Sequence, residues 1–306
     1  MLAVILALVS AVGYGSSDFA AGLASRAASV ILVTLLACMA ACLLVLAALP
    51  FAASPGPSGA ALAWGAVAGA SGTLGGIALY LGFRYAAFSV AAPLSAVGTA
   101  GFSVLAGLLW GERPSTLALT GIALALPAIV GVSASAGGGE GEEAVLAGAD
   151  NAGRETGEGG SPGHAGRPAA GVAAGLIAGA CFALLLIGLD RAGSGSGLWP
   201  AAAAEVAELA VAVTAAAVTR NLRLPRGRPG WLAVFAGVTG AAGTVCYFYA
   251  THNGLLAVVA VLTSLYPAST IVLARLVLGE RLTRLRLAGL VLAGGCVALI
   301  AAGGAG

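Results

Sequence analysis

The chain has 306 residues, 59% hydrophobic and 8% charged, whereas ordinary soluble domains carry about 25% charged residues, so it cannot cover a water-soluble surface of this size. The net charge of +2 comes from arginine alone among the basic residues, with no cluster interleaved with aromatic residues, which argues against a nucleic-acid partner. A span needs about 20 mostly apolar residues, so the length holds roughly ten spans with short connections in a lipid bilayer.

Apolar runs between breaks at charges, glycine and proline predict the elements in order. The first helix, Leu2 to Ala24, lacks a basic start, and polar residues from Tyr14 to Asp18 interrupt its second half; it reads as a retained span, not a cleaved signal. Helices follow over Val30 to Phe51, Ala60 to Phe83, Phe88 to Trp110 and Leu117 to Ala134, with the weakest break at Arg84 and Tyr85. Residues 137–168 are rich in glycine and acids, among them Glu140, Glu142, Glu143, Asp150, Glu155 and Glu158, and such a stretch buries too little apolar surface to order itself. Five more helices are expected over Ala170 to Leu189, Leu198 to Val218, Trp231 to Thr251, Leu255 to Leu278 and Leu287 to Ala302. The expected organisation is a five-helix unit over 1–136, a flexible tether over 137–168 and a second five-helix unit over 169–306.

The two units are related. A shift of about 168 residues lays Gly111-Glu112-Arg113 on Gly279-Glu280-Arg281, Leu117, Leu119 and Gly121 on Leu285, Leu287 and Gly289, and Gly69, Gly72 and Gly75 on Gly237, Gly240 and Gly243. Ser95 falls on Thr263. An odd number of spans per repeat makes the second unit enter the membrane the other way round. The expected fold is therefore all-α integral membrane, ten transmembrane helices as a 5+5 inverted repeat, whose interface is the usual place for a substrate site.

Ionisable groups within a span are costly and tend to face a cavity or a partner. Asp18, beside Tyr14, Ser16 and Ser17, either anchors the end of the first helix or lines a site for a cation or amino group. Glu205 and Glu208 stand three residues apart on one face of the seventh helix. Two carboxylates so close in a poor dielectric make the pair a candidate for proton coupling, with Asp18 as the rival, or else a structural pair satisfied by neighbours. Ser95, Thr99 and Ser103 form a hydroxyl stripe on the fourth helix, and Thr263, Ser264, Tyr266, Ser269 and Thr270 surround Pro267 on the ninth. Such hydroxyls bond to their own backbone or glue neighbouring helices; the alternative is a polar seam along the repeat interface. Tyr80, Arg84, Tyr247, Tyr249 and His252, at the ends of the third and eighth helices, are interfacial anchors or a cavity mouth. The candidate substrate-binding residues are thus Tyr14, Ser17, Asp18, Tyr80, Ser95, Thr99, Ser103, Tyr247, Thr263, Tyr266 and Ser269.

Cys38, Cys42, Cys181, Cys246 and Cys296 lie in apolar runs without metal or disulfide spacing, and His164 and His252 have no partners at metal-ligand or triad spacing. No catalytic set, metal, nucleotide loop or cofactor is expected, and the chain is not read as an enzyme.

Gly15-Ser16-Ser17-Asp18-Phe19 in the first helix, the Gly-Glu-Arg turns after the fourth and ninth helices and the 5+5 duplication together resemble the drug/metabolite transporter superfamily, of the EamA-domain type with two tandem domains. The resemblance spans nearly the whole chain except the tether. It implies ten helices, a central cavity open alternately to each side, lined by the first, third, fourth, sixth, eighth and ninth helices, and export or exchange of amino acids, metabolites or toxic compounds across the plasma membrane. Pro267 matches the family's mid-helix proline; its mate here is Thr99, with Pro93 earlier. Two other classes stay open: an integral-membrane enzyme or lipid-handling protein, and a membrane subunit that binds a partner. Arginines gather in the loops after the first, third, fifth, seventh and ninth helices, while only Arg113 and Arg191 fall on the other side. The positive-inside rule then puts the tether in the cytoplasm and both termini outside, the reverse of what the resemblance implies.

Overall fold

The computed structural model describes residues 1–52, 56–85, 88–133, 168–219, 224–279 and 283–303; of the expected tether only Pro168 is among them. The described residues are helical almost throughout: α1 Leu2–Ser25, α2 Val30–Ala48, α3 Gly59–Tyr85, α4 Phe88–Leu109, α5 Thr116–Ser133, α6 Pro168–Arg191, α7 Trp199–Thr219, α8 Arg228–Thr251, α9 Leu256–Thr263, α10 Tyr266–Leu278 and α11 Arg284–Gly303. Eight spans among the described residues are long and apolar enough to cross a bilayer, and two further apolar helices, Leu94–Leu109 and Thr116–Val132, are shorter. The ten expected helices are all present, as a multi-pass membrane protein.

Two departures have the same cause. Pro50 closes α2 in a short 3-10 turn, Leu49–Phe51, and Pro267 divides the expected ninth helix into α9 and α10, which together make the ninth span. Proline has no N–H to give the preceding turn and its ring crowds the carbonyl four residues back. At the division Leu265 N–H bonds to the Leu262 carbonyl at 3.2 Å and Ala268 N–H to the Leu265 carbonyl at 2.9 Å, a tightened turn that joins the two pieces.

Helix faces are sorted by size. On α1 the exposed Leu2, Ile5, Val9 and Val12 recur at helical spacing, while Ala3, Ala7, Ser10 and Ala11 are buried. Lipid offers no hydrophobic incentive for helices to associate, so small residues that let backbones touch must supply the contact. An added methyl at Gly69 would fall 2.0 Å from the Ala204 carbonyl oxygen, and one at Gly237 2.1 Å from that of Ala37. α9 lies deepest, with Leu256, Ala257 and Val259 to Thr263 all buried.

The extensive packing is between the halves, and it comes in exchange pairs: α1 on α8 with α3 on α6, α4 on α6 with α1 on α9 and α10, α3 on α7 with α2 on α8, and α2, α4 and α5 each on its own counterpart. The glycine register reappears in space. Gly75 faces Phe182 as Gly243 faces Tyr14, and Gly72 faces Leu185 as Gly240 faces Ser17; each residue and its mate stand 168 apart in the sequence.

Candidate functional site

Between the halves lies a cavity of about 410 Å³. Its wall takes Tyr14 and Asp18 from α1, Thr34 and Cys38 from α2, Gly72 and Thr73 from α3, Thr99 from α4, Phe182 and Leu185 from α6, Glu208 from α7, and Thr263, Ser264 and Tyr266 from the division of the ninth span. Most of the remaining lining is aliphatic.

Tyr14 and Asp18 share a face of α1, one turn apart. Asp18 is surrounded by protein yet open to the space it lines. The Tyr14 hydroxyl donates to Thr244 Oγ1 at 3.2 Å, and Thr244 Oγ1 donates to the Gly240 carbonyl at 3.3 Å, which ties α1 to α8 behind the wall. Glu208 faces the cavity beside Gly72, where an added methyl would lie 3.2 Å from Glu208 Oε1 and 2.3 Å from Leu185 Cδ1. Glu205, a turn earlier on the same face, is only 3% exposed and stands behind Glu208, within hydrogen-bonding reach of Thr244.

Thr263 and Ser264 are 2% and 1% exposed. Both residues border the cavity, and their hydroxyl oxygens are buried with no hydrogen-bond partner among the described residues, although buried polar groups are ordinarily bonded. They stand at the interruption that precedes Pro267, at the last residue and C-cap of α9.

Six of the sequence-derived candidates therefore meet at one cavity: Tyr14, Asp18, Thr99, Glu208, Thr263 and Tyr266. The other described candidates lie off its wall. Thr99 donates to the Ser95 carbonyl at 2.9 Å, and its stripe mates Ser95 and Ser103 are buried in helix packing off the wall. Ser17 packs toward Gly240 and Ser269 against Gly15. Tyr247 is fully buried and donates to the Leu186 carbonyl at 3.1 Å. The side chains of Tyr80 and Arg84 fall outside the described residues. Sequence reading passed over Thr34, Cys38 and Thr73. The signal for the first two was available, since Thr34, Cys38 and Cys42 step by four along an otherwise aliphatic α2.

The first Gly-Glu-Arg turn does more than end a helix. Gly111 turns the chain at φ 88°, and Glu112 reaches into the second half, accepting the N–H groups of Leu256 at 2.6 Å and Ala257 at 2.9 Å. Those are the first two residues of α9, whose own N-cap Leu255 offers no side-chain acceptor, so Glu112 supplies both the missing partner and a negative charge at the positive helix end. The corresponding Gly279 also has a left-handed backbone, φ 69°; Glu280 and Arg281 lie outside the described residues. Near Glu112 the Arg191 guanidinium stacks 4.8 Å above the Trp110 ring and Thr251 donates to Asp190.

A bundle of ten spans built from two exchangeable halves around a shared cavity is the architecture of a membrane transporter. The EamA-like transporter family model matches residues 1–134 and again 169–302, and the chain belongs to that family, within the drug/metabolite transporter superfamily. A solved crystal structure shares the fold, with TM-score 0.68 at 17% identity over 97% of this chain and 95% of the other. No curated protein matches in sequence.

Proposed function

We propose that the protein is a secondary transporter of the plasma membrane that exports or exchanges a small metabolite, amino acid or drug-like compound by alternating access. The observation that carries this reading is the cavity itself, whose wall takes residues, polar groups among them, from both halves. An odd number of spans per half sets the halves in opposite orientations, so rocking one against the other exposes the same site to each side in turn. Rocking would turn on the glycine contacts of α3 and α8, where at Gly69 and Gly237 backbone lies directly against backbone.

Proton coupling completes the mechanism. Glu208 faces the space and Glu205 stands one turn behind it, and like charges so placed disfavour double ionisation; Asp18 is the third acid. A carboxyl group that meets each side alternately can load a proton from one and release it to the other. Purified protein in liposomes is given a pH gradient and a panel of labelled amino acids and metabolites. Glu205→Gln, Glu208→Gln and Asp18→Asn are each compared with the parent. Loss of gradient-driven accumulation with substrate counterflow intact supports the coupling role; accumulation by all three amide variants overturns it. Absence of counterflow for every solute in the parent overturns transport.

A further inference from the structure

Consecutive spans alternate in direction, so the start of α1, the ends of α4, α6 and α8 and the start of α9 share one face of the bundle, the Met1 face. The cavity lies toward the other. Its wall includes Val30 and Ile31 from the first turn of α2 and Gly76, Ile77 and Leu79 from the later turns of α3. On the Met1 side of it the core is closely packed: Leu189, Tyr247, Phe248, Leu256, Val259 and Leu262 belong to one cluster and are each 1% exposed or less.

Polar contacts between the halves tie this face together. Glu112, after α4, accepts the N–H groups of Leu256 at 2.6 Å and Ala257 at 2.9 Å. Arg191, at the end of α6, lies 4.8 Å above the Trp110 ring. Ser58 N–H donates to Ser196 Oγ at 3.1 Å, and Ser115 Oγ donates to the Gly303 carbonyl at 2.9 Å. At the repeat shift Trp110 and Arg191 answer to Leu278 and Leu23, and Ser58 and Ser196 to Arg226 and Ala28. Those mates can rebuild neither a cation on a ring nor a pair of hydroxyls, so the Met1 face closes by chemistry of its own.

Glu112 is built into this closure at both ends. Its N–H bonds to the Gly107 carbonyl at 3.0 Å, which fixes it to the last turn of α4. Gly107 also leaves room for the acid, since a methyl added there would collide with Glu112 Oε2. The two carboxylate oxygens hold the start of α9 in the other half. Each hydrogen bond tolerates only a few tenths of an ångström of stretch, so parting α4 from α9 at this face breaks both. Water then satisfies the freed groups and returns much of the lost energy, which lets the contact open and close again.

We infer that Glu112 is the latch of a gate: the cavity opens to the Met1 face only when this carboxylate leaves the start of α9. The role rests on the transporter reading given above.

The test reads access to the cavity from each face. In full-length protein without its native cysteines, Leu185→Cys puts a thiol on the cavity wall. Exposed Ser194→Cys marks the Met1 face and exposed Leu224→Cys the other. Sealed vesicles of each orientation receive an impermeant thiol reagent. Leu185→Cys should react slowly from the Met1 face in the parent. Glu112→Ala, and Gly107→Ala, which keeps the acid but displaces it, should each speed that reaction about tenfold or more, as loss of charged hydrogen bonds shifts a two-state balance. Reaction from the other face should not accelerate. Fast labelling of the parent from the Met1 face overturns the gate. Unchanged labelling in both variants overturns the latch, as does equal acceleration from both faces, which marks a loosened fold. Should Glu112→Ala fail to fold, Gly107→Ala decides. A second arm locks the face: Ser58 and Ser196 oxygens stand 3.3 Å apart, and a disulfide in Ser58→Cys/Ser196→Cys should stop counterflow until it is reduced. Counterflow by the crosslinked protein overturns the gate; if the pair does not crosslink, the labelling series decides. Face-specific acceleration in a parent background that shows no counterflow for any solute refutes transport and leaves the latch standing.

Discussion

Replacing Gly69 or Gly237 with alanine tests whether the halves are held by backbone contact. In the parent, the new methyl carbon would sit 2.0 Å from the Ala204 oxygen or 2.1 Å from the Ala37 oxygen. Neither atom belongs to a flexible side chain, so α3 must retreat from α7, or α8 from α2, by about 1 Å, and a gap of that size forfeits a quarter to a half of each contact it opens. Overpacking of this kind costs about 1–3 kcal/mol, against which alanine returns up to about 1 kcal/mol of helix propensity. Gly76 and Gly101 are internal controls, since nothing lies within 4 Å of a methyl added at either; alanine there should be neutral or slightly stabilising. At about 2–4 °C per kcal/mol for a larger domain, the two sets should separate by about 5 °C in the apparent melting temperature of detergent-solubilised protein, read by fluorescence-detected size exclusion after heating. Identical melting of Gly69→Ala, Gly237→Ala and Gly76→Ala would refute the reasoning.

Removing the acceptor at Glu112 should free the start of α9: Glu112→Ala should lose about 2–3 kcal/mol of stability and Glu112→Gln, which keeps one acceptor, about half of that, with unchanged melting of the alanine variant counting against the cap. The double variant Ser95→Val/Thr263→Val should lower transport in vesicles while leaving the yield of folded protein unchanged, and full transport would remove the polar seam from the mechanism. Cysteine placed at Leu224 in a background without the native cysteines should react with an impermeant thiol reagent only after cells are opened, as the arginine distribution requires; labelling on intact cells would reverse the assigned orientation.

The sequence by itself determined the number of spans and the relation between the halves. Both depend on local chemistry: too few charges for a soluble surface, apolar runs long enough to span, and a glycine register and Gly-Glu-Arg turn that recur at one shift. The structure repeats that shift in its contacts, where Tyr14 on Gly243 answers Phe182 on Gly75. It was also legible that acids and hydroxyls would matter, because ionisable groups in a span need a reason. Only the tertiary structure decided which of them share a space. Helical periodicity assigns a residue to a face but does not say what the face meets, so Thr99 reaches the cavity while Ser95 and Ser103 on the same stripe do not, and Glu208 reaches it while Glu205 stands behind. The reach of Glu112 across 144 residues to the start of α9 was equally beyond sequence, since nothing local marks which helix end a turn will face once two halves have packed.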